Sequence, residues 1–204
     1  MPEHIFPIHD RMVQFDDRCK RLNQRPICLW FCGLSGSGKS TIAIGLEKKL
    51  FQEGYIAQIL DGDNIRNGIN ANLGFSEADR AENIRRVAEI SKLYLQSGLV
   101  TINSFISPTR AMREQAKAII GPKYFKEVYI NASLEACEAR DVKGLYKKAR
   151  SGAIKGFTGI DSPFEAPVQP FMNIQTEAQS PESCINQLFE AIEPLIQFKA
   201  DAYE

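Results

Sequence analysis

The chain has 204 residues, 44% of them hydrophobic, which is enough for one sizeable core and short enough that a single domain is the default expectation. Lysine plus arginine equals aspartate plus glutamate at 25 each, so no summed charge draws the chain toward nucleic acid or an anionic membrane. Nothing approaches the roughly 18 uninterrupted apolar residues of a spanning helix. The first 24 residues carry His4, Asp10, Arg11, Asp16, Asp17, Arg18 and Lys20 where a signal peptide would need a continuous apolar run, so a cytoplasmic protein is expected.

Residues 1–24 read as an N-terminal helical segment and 25–204 as the main domain. Five cysteines, Cys19, Cys28, Cys32, Cys137 and Cys184, are an odd number without a CxxC pair, which argues against a disulfide framework and a zinc site. Cys28 and Cys32 fall in the apolar run 26–32, as expected of a parallel strand covered on both faces. Residues 41–53 then show Ile42, Leu46 and Leu50 at helical spacing, with Gly54 as a stop. Strand candidates follow at 55–60, 99–105 and 126–130; helix candidates follow at 77–97, 109–119, 134–140 and 181–198. That alternation points to an α/β fold with a central parallel sheet flanked by helices. Residues 141–170 differ, with glycines and prolines among lysines and aromatics, and read as an irregular, mobile lid over about 141–165.

Between the first strand and the first long helix stands Gly33-Leu34-Ser35-Gly36-Ser37-Gly38-Lys39-Ser40, a full GxxxxGK[ST] match in the context that gives it meaning. Glycines let consecutive backbone N–H groups turn inward at phosphate oxygens beside a helix N-terminus. Gly33, Ser35, Gly36, Ser37, Gly38, Lys39, Ser40 and Thr41 are therefore candidate ATP contacts, with Lys39 reaching the β- and γ-phosphates and Ser40 holding Mg2+.

Residues 61–86, DGDNIRNGINANLGFSEADRAENIRR, place Asp61 and Asp63 at a strand end with Arg66, Arg80, Arg85 and Arg86 nearby. Carboxylates beside a γ-phosphate can orient Mg2+ or accept a proton, and guanidinium groups bind anionic substrate oxygens. Two other readings stay open on these residues: a kinase for a different small metabolite, and a nucleotide-binding switch that transfers nothing.

The motifs GLSGSGKST, DGDNIR, LGFSEADRAENIRR, SFISPTR, DVKGLYKKAR and IKGFTGIDSPFEAP, in this order, resemble the adenylylsulfate kinase family over roughly 25–167. The resemblance implies a three-layer P-loop kinase fold with a mobile lid, acting as an ATP- and Mg2+-dependent homodimer. It implies transfer of the γ-phosphoryl to the 3′-hydroxyl of adenylyl sulfate, giving 3′-phosphoadenylyl sulfate. The acceptor would come from a separate sulfurylase, with no attached sulfurylase domain, no nucleic acid and no membrane involved. By the same resemblance, Asp61 would organise the metal or act as base, and Asp63 would hold the acceptor. Arg66, Arg80 and Asn83 would bind the sulfate-phosphate end and ribose, and Phe75 and Phe157 would sandwich the acceptor adenine. Ile106 and Ser107 would line the acceptor pocket, Ser107 aligning with a serine that some family members phosphorylate. Lys143, Gly144, Leu145 and Lys155 would belong to the lid, and Arg140 would pack on the ATP adenine. Asn103 stands where many relatives carry a hydroxyl residue.

Overall fold

The computed structural model describes His4 and residues 6–199. Five strands form one sheet: β1 (Cys28–Cys32), β2 (Ala57–Asp61), β3 (Val100–Ser104), β4 (Phe125–Asn131) and β5 (Met172–Gln175). Their spatial order is β2-β3-β1-β4-β5 and every pairing is parallel. The helices are α1 (Phe15–Leu22), α2 (Lys39–Gln52), α3 (Gly62–Arg66), α4 (Glu77–Gln96), α5 (Arg110–Ile120), α6 (Leu134–Arg140), α7 (Leu145–Arg150) and α8 (Pro181–Ile196). None of them is long and apolar enough to cross a membrane.

Strand β1 sits at the middle of the sheet and is buried along its whole length, because its side chains alternate between two apolar layers. Leu29 and Phe31 face α2 and α8 with Ile42, Leu46, Leu50, Leu188 and Ile192. Cys28 and Trp30 face α4 and α5 with Ile84, Val87, Ala88, Met112 and Ala116. A smaller cluster of Leu34, Ala132, Cys137 and Tyr146 lies past the strand ends, with Phe157, Ile160 and Phe164 packed on it. The sequence pattern therefore locates four strands and five helices within a few residues. It misses the five-residue α3; β5, a four-residue strand behind Pro167 and Pro170; and α7, which lies inside the segment expected to be irregular.

Helix starts follow capping chemistry. Ser76, Thr109, Ser133 and Ser180 each accept a hydrogen bond from a backbone N–H in the first turn of α4, α5, α6 and α8, and Pro181 opens α8, where a missing N–H is harmless. Asn103, on β3, is wholly buried between layers: it donates to Cys28 Sγ at 2.9 Å and accepts from Ser91 Oγ of α4 at 3.0 Å. An amide is satisfied there by side chains on both neighbours, so it ties α4 to the sheet.

The α2–α8 contact is close enough to be tested. A Cβ added at Gly45 would meet Ile185 Cδ1 at 2.1 Å. In a helix interior leucine gains about 1 kcal/mol of propensity over glycine, but overpacking typically costs about 1–3 kcal/mol, and a leucine must displace Ile185 entirely. Gly45→Leu is therefore expected to lower stability by about 1–2 kcal/mol, read as a reduced urea midpoint at unchanged slope. A midpoint at or above that of the parent chain would mean that the two helices do not approach this closely.

Candidate active site

The C-terminal ends of β1, β2 and β3 lie side by side at the rim where open parallel sheets place ligands. From β1 the chain turns through the glycine-rich loop into α2. Gly33, with φ +149°, runs so close to β4 that a Cβ there would stand 2.3 Å from the Ile130 carbonyl oxygen. Gly38, with φ +100°, caps α2 in a left-handed conformation that directs the following backbone into the helix. Thr176, just past β5, holds the loop from outside: its Oγ1 donates to the Ser37 carbonyl at 2.8 Å, while Arg140 donates to its Oγ1 and carbonyl and to the Gly36 carbonyl.

Lys39 lies within this loop, 8% exposed, and its ammonium donates to the Gly33 carbonyl at 2.9 Å and the Leu34 carbonyl at 2.6 Å. Burial pushes its pKa down to about 8. Neutral carbonyls leave much of that positive charge uncompensated, and phosphate oxygens would supply the missing counter-charge. Ser40, next in the helix, is exposed and donates from Oγ to Asp61 Oδ2 at 2.8 Å, with Ser104 Oγ 3.4 Å away. The other Asp61 oxygen accepts from the Asp63 N–H at 3.0 Å, capping α3. A hydroxyl and a carboxylate within contact of one another form a hard oxygen pair. It suits Mg2+, which takes one or two protein oxygens and completes its shell with phosphate and water.

On the acceptor side, Arg66 donates to the Gly74 carbonyl at 2.8 Å and stacks beneath Phe75, its guanidinium carbon 4.5 Å from the ring centroid. The outer face of Phe75 stays open, with the residue 70% exposed. Arg80 bridges two elements: it donates to the Phe75 carbonyl at 2.9 Å, to Thr158 Oγ1 at 2.9 Å and to the Gly156 carbonyl. It thereby ties the Phe75 turn to the two residues that flank Phe157, through the Gly156 carbonyl and the Thr158 hydroxyl. Phe157 is itself set edge-on to Tyr146, with centroids 5.0 Å apart. Asn83 is buried and accepts from Asn70 Nδ2 at 3.0 Å. Arg85 and Arg86 turn away from the cleft and both donate to Glu82.

Ser107 has φ +45°, an uncommon backbone state for a residue with a side chain, and is 2% exposed. Its hydroxyl accepts from Trp30 Nε1 at 3.0 Å, and its carbonyl accepts from Arg113 at 2.8 Å. Ile106, before it, is half-buried, and its carbonyl accepts from the Gly33 N–H at 3.4 Å. Lys143 pairs with Asp63 across the cleft, Gly144 and Leu145 open α7, and Lys155 and Thr41 are exposed. Sequence reasoning did not single out Tyr146, Asn70 or Arg113. Tyr146 donates to the Ser35 carbonyl at 2.8 Å, so the base of the 141–165 segment is bonded directly to the phosphate loop.

The adenylylsulphate kinase family model matches residues 25–175. An adenylyl-sulfate kinase of Bacteroides thetaiotaomicron is 56% identical over 196 residues, 96% of this chain and 98% of that one, and one of Bacteroides fragilis is 54% identical over 193 residues, 95% and 96%. The solved structure of the Mycobacterium tuberculosis APS kinase CysC in complex with AMPPNP and APS superposes with a TM-score of 0.80 at 43% identity, covering 83% of this chain and 98% of that one. With its glycine-rich loop, its Ser40–Asp61 pair and these relatives taken together, the chain belongs to the adenylylsulfate kinase family.

Proposed function

We infer that this chain transfers the γ-phosphoryl of ATP to the 3′-hydroxyl of adenylyl sulfate, giving 3′-phosphoadenylyl sulfate and ADP. The observation that carries this reading is the meeting of two differently built half-sites at one sheet rim. One holds Lys39, Ser40 and Asp61, and the other holds Arg66, Phe75, Arg80 and Asn83. Phosphoryl transfer asks little covalent chemistry of the protein and much positioning and charge stabilisation.

In this reading the loop from Gly33 to Thr41 binds the triphosphate, and Lys39 follows the charge of the β- and γ-phosphates. Ser40 and Asp61 would hold a magnesium ion, which would supply positive charge against the charge that develops on the phosphoryl oxygens. Asp61 would keep that metal oriented or take the proton of the acceptor hydroxyl. Asp63 holds the acceptor hydroxyl once Lys143 moves from it to the phosphates. Arg66 and Asn83 bind the acceptor's anionic and ribose groups, and Arg80 adds charge while holding the lid over them. Phe75 and Phe157 take the adenine between them, and Ile106 and Ser107 shape the floor. The buried Ser107 hydroxyl, already accepting from Trp30, suits a positioning role better than that of a covalent phosphoryl carrier. Arg140, which donates to the Gly36 carbonyl of the phosphate loop, would pack on the ATP adenine.

Residues 141–165 act as the lid of a domain spanning 25–204, with 1–24 as an N-terminal helical segment; closure brings Lys143 and Lys155 over the phosphoryl and excludes water. All five cysteines are free and buried, which fits a reducing cytoplasm. The enzyme works there as a homodimer supplied with adenylyl sulfate by a separate sulfurylase.

Two measurements test this. ADP release from Mg-ATP is expected to rise strongly on adding adenylyl sulfate, with 3′-phosphoadenylyl sulfate identified by mass; folded protein that shows no stimulation would remove the acceptor assignment and leave only the phosphate loop. Stacking of a base on an aromatic ring is worth about 1–3 kcal/mol. Phe75→Ala is therefore expected to raise the KM for adenylyl sulfate by about tenfold or more while leaving that for ATP nearly unchanged. Equal losses for both substrates would take Phe75 out of the acceptor site.

A further inference from the structure

Arg85 and Arg86 stand beside the acceptor residues in the sequence, yet neither reaches the cleft. Arg86 instead begins a directed chain of hydrogen bonds that ends on one of the acceptor residues. Its Nε donates to Glu82 Oε1 at 2.8 Å, and hydrogen bonds from Arg85 and Arg86 hold the Glu82 carboxyl down at about 2, so this anchor is an anion at any working pH. Its NH1 donates to Asn72 Oδ1 at 2.9 Å and, more distantly, to Asn70 Oδ1 at 3.4 Å. Asn70, fully buried, then donates from Nδ2 to Asn83 Oδ1 at 3.0 Å.

The direction of this chain is fixed at its origin. A guanidinium has donors only, so whatever Asn70 turns toward Arg86 must be its oxygen. The Asn70 NH2 is then committed to Asn83, and Asn83 must answer with its oxygen. Flipping both amides would set the Asn70 NH2 against a cation, and flipping Asn83 alone would set donor against donor at a buried contact. The Asn83 NH2 is left over, and it donates to no group among the described residues.

We propose that Asn70, oriented by Arg86, is a positioning residue that locks the Asn83 amide with its NH2 toward the acceptor. The site thereby selects an acceptor carrying oxygen lone pairs, such as a ribose or phosphate oxygen, at that point. This rests on the placement of Asn83 against adenylyl sulfate in the activity inferred above, whereas the polarity of the amide chain stands apart from any substrate.

Asn70→Asp tests it at constant shape. The introduced carboxylate can only accept, so Asn83 must turn its NH2 inward and present its oxygen to the acceptor. The KM for adenylyl sulfate is expected to rise by about tenfold or more with that for ATP unchanged. The Asn83 side-chain amide resonances are expected to move in the parent enzyme when adenylyl sulfate is added with ADP, and in the free variant to be displaced already and to stop responding. Both KM values at parent level, or both raised alike, would overturn the proposal. Should that variant not fold, Arg86→Met at a partly exposed helix position removes the group that orders Asn70. A several-fold rise in the acceptor KM alone is then expected, with Arg86→Lys retaining parent values; Arg86→Met without effect would overturn the proposal. Parent enzyme without acceptor-dependent turnover would remove the activity instead. The free-protein Asn83 resonances would still decide the polarity, and their identity in parent and Asn70→Asp would refute it.

Discussion

A lysine ammonium held inside a loop of backbone carbonyls is the constraint from which the rest of the site follows. Moving such a cation out of water costs several kcal/mol unless nearby groups replace the lost solvation. Lys39 is given two carbonyls and a distant hydroxyl, all from residues 33–37, and its depressed pKa records that the replacement is partial. Those carbonyls converge only because Gly33 and Gly38 take left-handed backbone and because Gly33 lies against β4 where no side chain fits. The loop is in turn pinned from the far side by Thr176, Arg140 and Tyr146. The cation is thus held ready for an anion by four separate elements, so a phosphate that arrives meets positioned charge and N–H groups without having to arrange them.

A second linkage joins the turn at Ser107 to the end of the 141–165 segment. Arg113, 3% exposed, pairs with Glu127 on β4 and donates to the carbonyls of Ser107 and Glu165, while Glu165 accepts from the Arg110 N–H at the start of α5. One buried guanidinium therefore fixes the strained turn that carries Ser107 and the segment where the chain returns from the lid. A planar fork with five donors can satisfy a carboxylate and two carbonyls at once, which a lysine could not do with the same geometry. The Ser107 turn, β4 and Glu165 are joined through one side chain in consequence.

Local chemistry was legible in the sequence and long-range chemistry was not. The phosphate loop declares itself because its glycines, lysine and serine act within eight consecutive positions, and Asp61 is legible because a strand end delivers it to the same rim as Ser40. Helix α7 hid among glycines and lysines because what holds it is not periodicity. The Asp141 carboxylate accepts from the N–H groups of Tyr146 and Lys147, and the Tyr146 ring is buried against a cluster contributed by α6 and the phosphate loop. Strand β5 hid because four residues behind two prolines carry little pattern, and only its pairing to β4 gives it strand character. The roles of Arg85 and Arg86 were legible only as positive charge, since their real partners stand on their own helix face and in the turn at 70–72.

The two ends of the 141–165 segment are attached by different physics, and that difference suits opening. Its base is held by buried apolar contacts through Tyr146 and by Asp161, whose carboxylate accepts from the N–H groups of Gly156 and Phe157 and folds the glycine-rich turn upon itself; those donors bring its pKa below the usual range. Its contacts across the cleft are polar: Lys143 to Asp63 at the surface, and Arg80 to Gly156 and Thr158 in partly buried hydrogen bonds. An exposed ion pair contributes about 0–1 kcal/mol, whereas burying one aromatic side chain contributes about 1.5–3 kcal/mol. The Lys143–Asp63 pair is therefore the first contact to yield, while Phe157 stays on Tyr146. Asp63 is freed when that pair opens, so Lys143 and any other group that takes up this carboxylate exclude one another.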